Sequence, residues 1–308
     1  MNNPANEVQD SPSSFLYGLA AVALLVILWG IQPFFMKLAL ERFDTYTVSW
    51  VRLTFAGFIT LFFTRKRAGA YCNNFKKHWP LLLVGGLCLG ANYFFFLKGL
   101  GLGGPLTATV LIQVAPLTLA LIGVFVFKEQ LSPRQLVAVA VAVFGFSLFY
   151  YDRLTFADEG GFQANAAFHV VFAALVWVGF AVVQKVKGKV VGSALVNIVA
   201  YFTSGIGLAF FVDWSSFQHV YSWSFAAVFY LTFSTVFAYG AFGEAVRVLP
   251  VTLVSILVVT NPFVTIIVVE VLLWLGNAYF EPTPLSTLGY VGTTLAIVGV
   301  AITSMKRG

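Results

Sequence analysis

The chain has 308 residues, of which 59% are hydrophobic and only 10% charged, with a mean hydropathy of +0.89. A water-soluble protein of this size carries roughly a quarter charged residues, so the composition excludes an ordinary soluble fold and makes lipid the solvent for most of the surface. The net charge of +6 comes from basic residues in short loops beside apolar stretches, which argues against a nucleic-acid partner, and the two cysteines, Cys72 and Cys88, form neither a metal spacing nor a disulfide framework.

Residues 1–14 are polar, with Glu7 and Asp10 and no basic residue. That start is unlike a signal peptide, and a short disordered cytoplasmic tail is expected. Ten apolar segments follow. They are long and do not alternate, so they read as membrane-spanning α-helices rather than barrel strands. Predicted helices 1 and 2 cover 15–37 and 45–64, and predicted helices 3, 4 and 5 cover 79–98, 104–127 and 133–151. A polar extracytoplasmic linker, 152–163, leads to predicted helices 6 and 7 at 164–185 and 190–212. Predicted helices 8, 9 and 10 follow at 223–246, 250–275 and 285–304.

Loop charge sets the orientation. Thirteen lysines and arginines fall on one side, among them Arg65, Lys66, Arg67, Lys76, Lys77, Lys185, Lys187 and Lys189. Only Lys37, Arg42, Lys98 and Arg153 fall on the other, with most of the acids. Both termini are therefore expected in the cytoplasm.

The chain also repeats itself. PLTATVLIQVAP at 105–116 returns as PVTLVSILVVTNP at 250–262, Trp29 returns as Trp177, and Tyr93 returns as Tyr239, all at offsets between 145 and 148 positions. The fold class expected is an all-α integral membrane protein of two five-helix halves, 15–151 and 164–308. Five is odd, so the second half enters the membrane from the opposite side. Such inverted repeats are associated with alternating-access transporters.

Taken in order and in duplicate, these features resemble the EamA-like, ten-helix transporters of the drug/metabolite transporter superfamily, over residues 15–305. The resemblance rests on Trp29-Gly30, on Arg52 in VRLTF, on Pro116 and Glu129 in APLTLALIGVFVFKEQLSPRQ, and on Gly145. In the second half it rests on Trp177, STVFAYGAFGEA, Pro262 and Gly299. One departure is the spacing from Pro262 to Glu281, about six residues longer than that from Pro116 to Glu129, with WLGNAYF at the outer end of predicted helix 9; another is Glu270 within that helix.

The resemblance implies a multi-pass transporter of the bacterial inner membrane without a cofactor. It leaves the cargo open. Export of an amino acid or related metabolite by a secondary-active, alternating-access mechanism is the leading expectation, and nucleotide-like metabolites, S-adenosylmethionine and drugs are the alternatives. A membrane scaffold or receptor is the non-transport alternative. No phosphate-binding G-x-x-x-x-G-K-[ST] sequence occurs, so a gradient would supply the energy. An enzyme is not expected, because His78, His169 and His219 are far apart in sequence and Glu270 has no acidic partner within a span. No metal site is expected either. The partners expected are a small-molecule substrate, the bilayer, and a proton or counter-substrate, and a monomer would suffice.

Polar groups in hydrocarbon are costly and usually face the bundle interior. Trp29, Gln32, Asn92, Tyr93, Gln113, Trp177, Tyr239 and Asn261 are therefore the candidate cavity residues, with Gln184 a further buried amide; interhelical hydrogen bonding and packing are the structural alternative. Pro116 and Pro262 are candidate hinges, each expected inside a helix near mid-membrane. There a proline would free the carbonyl four residues earlier, on Ile112 and Val258. Arg52 is expected to snorkel or to pair with Asp44. Glu270 is a candidate proton-coupling carboxylate, or one that reaches the outer interface. Trp79, Trp214 and Trp223 read as interfacial belt residues.

Overall fold

The computed structural model describes residues 12–129, 132–155, 164–276 and 286–304. Within them the regular elements are helices: α1 (Pro12–Ala39), α2 (Thr45–Phe63), α3 (Ala68–Leu111), α4 (Val114–Phe125), α5 (Pro133–Thr155), α6 (Ala164–Val191), α7 (Ser193–Leu208), α8 (Trp223–Val248), α9 (Val251–Val258), α10 (Asn261–Trp274) and α11 (Thr287–Ser304). Short 3-10 turns lie at 65–67, 209–211 and 214–219. Most of the expected tail and linker, and Glu281 with most of the extra outer segment, lie outside the described residues. The parts that are described, Pro12–Ser14 and Asp152–Thr155, are ends of α1 and α5 rather than tail or linker.

Among the described residues, seven stretches are long and apolar enough to cross a membrane, α9 and α10 counting together, and 114–125, 136–149 and 287–299 are shorter apolar helices. Large apolar side chains cover the outside: Phe125, Phe210 and Trp223 are 74%, 85% and 82% exposed. A water-facing protein would bury such groups at about 25 cal/mol per Å²; here lipid solvates them. The protein is an all-α, multi-pass membrane protein.

Two helix boundaries differ from the sequence expectation, for related reasons. The glycine-rich stretch at 99–104 was expected to separate predicted helices 3 and 4, yet α3 runs on to Leu111. Positive φ among the described glycines is confined to Gly192 and Gly276, so the described glycines of this stretch keep helical dihedrals. Glycine permits a turn without demanding one. The interruption falls instead at 112–113, and a matching one falls at 259–260, inside predicted helix 9.

Helix packing follows one scheme. α1 lies against α8 and α6 against α3; α1 also meets α10, and α6 meets α4. α2 crosses α7, α4 crosses α9, and α5 crosses α11. At the α2–α7 crossing a Cβ on Gly57 would lie 3.1 Å from the Phe202 ring, and one on Gly205 would lie 2.6 Å from Thr54 Oγ1. Thr54 with Phe202, and Gly57 with Gly205, are each 148 positions apart. Where α5 meets α11, a Cβ on Gly145 would lie 2.6 Å from Gly292 O, and one on Gly292 would lie 2.8 Å from Gly145 O. In lipid, helices associate mainly through close packing rather than burial from water, and small residues permit it.

Candidate substrate site at the helix crossing

The two repeat-related tryptophans touch. Trp29 on α1 and Trp177 on α6 meet edge to face with ring centroids 6.2 Å apart, and Tyr239 on α8 lies 5.7 Å from Trp29. Trp177 continues onto Phe242 at 5.2 Å, and Tyr239 onto Phe180 and Tyr201 at 5.6 and 6.0 Å. Tyr93 of α3 is half-buried and packs against the same core that holds Trp177 and Tyr239. Trp177 and Tyr239 are buried and Trp29 half-buried. Three of the candidates, Trp29, Trp177 and Tyr239, thus form one aromatic cluster contributed by α1, α6 and α8, with a fourth, Tyr93 of α3, packed against the same core.

Gly30 explains how a further helix reaches the cluster. A Cβ there would lie 2.5 Å from Val264 of α10, so the glycine next to Trp29 allows close approach of α10. Thr265 Oγ1 donates to Gly30 O at 2.9 Å. The Oδ1 of Asn261, first residue of α10, would lie 3.3 Å from the same Cβ and has no hydrogen-bond partner.

Arg52 corrects an expectation. It neither snorkels nor pairs with Asp44, which instead caps α2 by accepting from the N–H groups of Tyr46 and Thr47. Its side chain is turned inward and is 2% exposed. Nε donates to Thr235 Oγ1 at 3.2 Å, Nη2 donates to Gln32 Oε1 at 3.0 Å, and the guanidinium lies 5.9 Å from the Tyr93 ring centroid. Among the described residues no carboxylate lies within ion-pair distance of it. Removing a charge from water costs several kcal/mol. A hydrogen bond to a charged group returns about 1.5–3 kcal/mol and a cation–π contact about 1–2. The neutral partners hold the guanidinium without neutralising it.

The remaining candidates divide. Gln32 belongs to the Arg52 group. Asn92 is buried and donates from Nδ2 to Ala173 O at 3.0 Å, which ties α3 to α6. Gln184 is fully buried and donates to Ser193 O at 3.4 Å, while its Oε1 has no partner. Gln113 is half-buried and lies in the break between α3 and α4. Glu270 is exposed on α10, away from the aromatic cluster.

The proline expectation also needs correction. Neither proline kinks a continuous helix. Pro116 is the third residue of α4 and Pro262 the second of α10. The helix stops ahead of each, and the proline occupies a first turn, where N–H groups lack intrahelical partners anyway. The Ile112 carbonyl is not free, since it accepts from Ala115 N–H at 3.0 Å, and α9 ends at Val258 itself.

Residues that the sequence did not single out complete the picture. Thr235 lies one turn before Tyr239 on the same face of α8, a spacing that could have revealed it. Glu129, noted only as a family landmark, ends the loop after α4 and caps α9. Its Oε1 accepts from Val251 N–H at 2.7 Å, and its Oε2 from Thr252 N–H and Oγ1, both at 2.9 Å. Lys185, counted only as loop charge, lies 3.7 Å from Glu129 and donates to Leu249 O at 2.8 Å. The carboxylate complements the positive end of the α9 dipole. This junction joins α4, α6 and α9 at one end of the bundle.

Residues 16–151 match the EamA-like transporter family. A Haemophilus influenzae protein named "Uncharacterized transporter" is 23% identical over 94% of this chain and 95% of its own. The Escherichia coli K12 protein "Uncharacterized inner membrane transporter YhbE" is 25% identical over 92% and 89%. Another from that strain, "Probable amino-acid metabolite efflux pump", is 25% identical over 75% and 80%. A crystal structure aligned over 94% of this chain and 96% of that one, at 16% identity and a TM-score of 0.71, has the same fold. The resemblance carried by Trp29-Gly30, Arg52, Pro116 and Glu129 is borne out: the chain is a multi-pass transporter of the bacterial inner membrane, and its residues 16–151 match the EamA-like transporter family.

Proposed function

We propose that the protein is a secondary-active exporter of an amino acid or related small metabolite, working by alternating access between two inverted five-helix halves. The observation that carries this reading is the aromatic cluster, in which Trp29 and Trp177 meet from α1 and α6. Three features support it. The packing pairs α1–α8 and α6–α3 exchange when the first five spans are swapped for the last five. Both halves break a helix just ahead of a proline, at 112–113 and 259–260, and broken helices at mid-depth are how such transporters present polar backbone to cargo. A relative similar over three quarters of this chain is named as a probable amino-acid metabolite efflux pump.

In this reading the cluster is closed. Opening toward one side separates helices at one end of the bundle, and the Glu129 junction at its end has to yield in one half of the cycle. Transport is driven by a proton or a counter-substrate, and Glu270, exposed on α10, is the candidate coupling carboxylate. The test is counterflow in proteoliposomes preloaded with single amino acids. Labelled amino acid should accumulate transiently for at least one of them. Trp177→Ala should cut the initial rate at least tenfold at unchanged folded yield. Absence of counterflow for every amino acid in correctly inserted protein overturns the cargo class.

A further inference from the structure

Among the lysines and arginines whose side chains are described, Arg52 is the only one with less than a tenth of its surface exposed, and every contact that holds it is neutral. A guanidinium held this way lacks the counter-charge that buried cations normally have. Its two acceptors are side chains at the inner ends of short contacts, Gln32 Oε1 on α1 and Thr235 Oγ1 on α8. Thr235 already has a backbone partner, donating to Leu231 O at 2.7 Å. Either acceptor can be displaced by rotation of one side chain, leaving a planar pair of N–H donors matched to a carboxylate.

The surroundings say what the rest of such a ligand is like. Gln32 is one turn from Trp29 on α1, and Thr235 is one turn from Tyr239 on α8. The guanidinium therefore lies roughly 5 Å along the helices from the aromatic cluster, and Tyr93 links the two, lying against Arg52 and packing against the core that holds Trp177 and Tyr239. Aromatic faces accept an apolar side chain or an ammonium group. The partnerless Oδ1 of Asn261, beside Gly30, is a buried acceptor close to Trp29. Asymmetry adds to the case. The position 148 residues after Arg52 is Ala200, so the second half supplies no matching charge.

We propose that Arg52 is the cargo-carboxylate receptor, and that the protein's substrates are small organic carboxylates with an apolar or aromatic remainder, α-amino acids being the zwitterionic case. This rests on the reading of the aromatic cluster as the transport site. Binding trades the bonds to Gln32 and Thr235 for a two-pronged bond to the carboxylate, and the remainder of the molecule packs on Trp29, Trp177 and Tyr239.

The test is thermal unfolding of the purified protein in detergent at constant ionic strength. The probes are the proteinogenic amino acids and phenylacetate, set against phenylalaninamide, leucinamide and phenethylamine. A ligand that binds only the folded protein raises the melting midpoint. At least one carboxylate should raise it, and its amide or amine counterpart should not. Arg52→Gln removes the uncompensated charge. It should melt no lower than wild type and lose the response, whereas Arg52→Lys should bind at least tenfold more weakly. Three outcomes overturn the proposal: no carboxylate shifts the wild type, amides act as well as acids, or Arg52→Gln melts far below wild type as a structural arginine would. Counterflow separates this from the transport reading. Flux indifferent to Arg52→Gln sinks the carboxylate receptor alone. Arg52-dependent binding without flux of any probe sinks the transport reading alone.

Discussion

Glu129 and Arg52 each carry a charge from the first 151 residues into contact with the last third of the chain, and they are satisfied in opposite ways. Glu129 meets three donors on the first turn of α9 and the Lys185 ammonium 3.7 Å away. Arg52 meets an amide oxygen, a hydroxyl and a ring. The first arrangement is complete, and nothing is gained by adding a ligand. The second lacks the one group that would complete it. A charge that serves to hold helices together brings its counter-charge from the protein, and a charge that serves to hold cargo leaves that place to the cargo.

The largest expected effect follows from the completed site. Glu129→Ala leaves Lys185 partly buried without its partner and uncaps α9. Breaking a buried pair by removing one member costs about 3–5 kcal/mol, so chemical unfolding in detergent should show a loss of that order. Glu129→Gln should lose less, because the amide oxygen still accepts one N–H bond from α9. If both changes left stability untouched, the contrast with Arg52 would collapse.

Gly123→Ala tests the same junction from the other side. A Cβ at Gly123 would press on Thr252 Oγ1 and would lie 2.8 Å from Glu129 Oε2 and 3.1 Å from Thr252 N. Both neighbours are fixed by the cap, so the added methyl must push α4 from α9. Overpacking of this kind costs about 1–3 kcal/mol, measured by the same unfolding experiment. In a Glu129→Ala background the penalty should shrink, because the carboxylate is gone and Thr252 Oγ1, no longer bonded to it, can turn away. Thr235→Val probes the open site on a comparable scale. It removes an acceptor from Arg52, a bond whose net contribution is about 1.5–3 kcal/mol, and should lower the melting midpoint of the empty protein. Carboxylate-dependent stabilisation should survive it, since the carboxylate replaces that acceptor.

The sequence made the membrane class, the number of apolar segments and the pairing of Trp29 with Trp177 legible, because hydropathy and a repeated offset are local signals. It also placed the breaks near the right prolines. It misplaced the mechanism of the breaks, since a proline near a helix start and one that kinks a helix look alike until the backbone hydrogen bonds are known. Arg52 was misread for a similar reason. Its distance along α2 from Asp44 suggests an interfacial pair, but which face of a helix turns inward depends on neighbours more than 180 positions away, Thr235 among them. The Glu129 junction was invisible for the same cause: its partners on α9 lie 122 and 123 positions further on.

The smallest effect expected concerns how Glu129 gets to its place. After α4 the chain turns through Lys128, whose φ of 53° is left-handed, while Glu129 N–H bonds back to Gly123 O at 3.0 Å. A side chain in that conformation costs about 1 kcal/mol, and glycine would relieve it. Glycine also gains freedom in the unfolded chain, which offsets about 0.5–1 kcal/mol. Lys128→Gly should therefore be close to neutral. Lys128→Val should cost about 1–2 kcal/mol, because a β-branched residue tolerates positive φ worst. The two substitutions remove the same ammonium, so their difference isolates the turn. If the strain persists only because Glu129 is anchored on α9, the valine penalty must fall when Glu129→Ala is added. An unchanged penalty would mean that the helix end sets the turn, and that Glu129 merely takes advantage of where the turn leaves it.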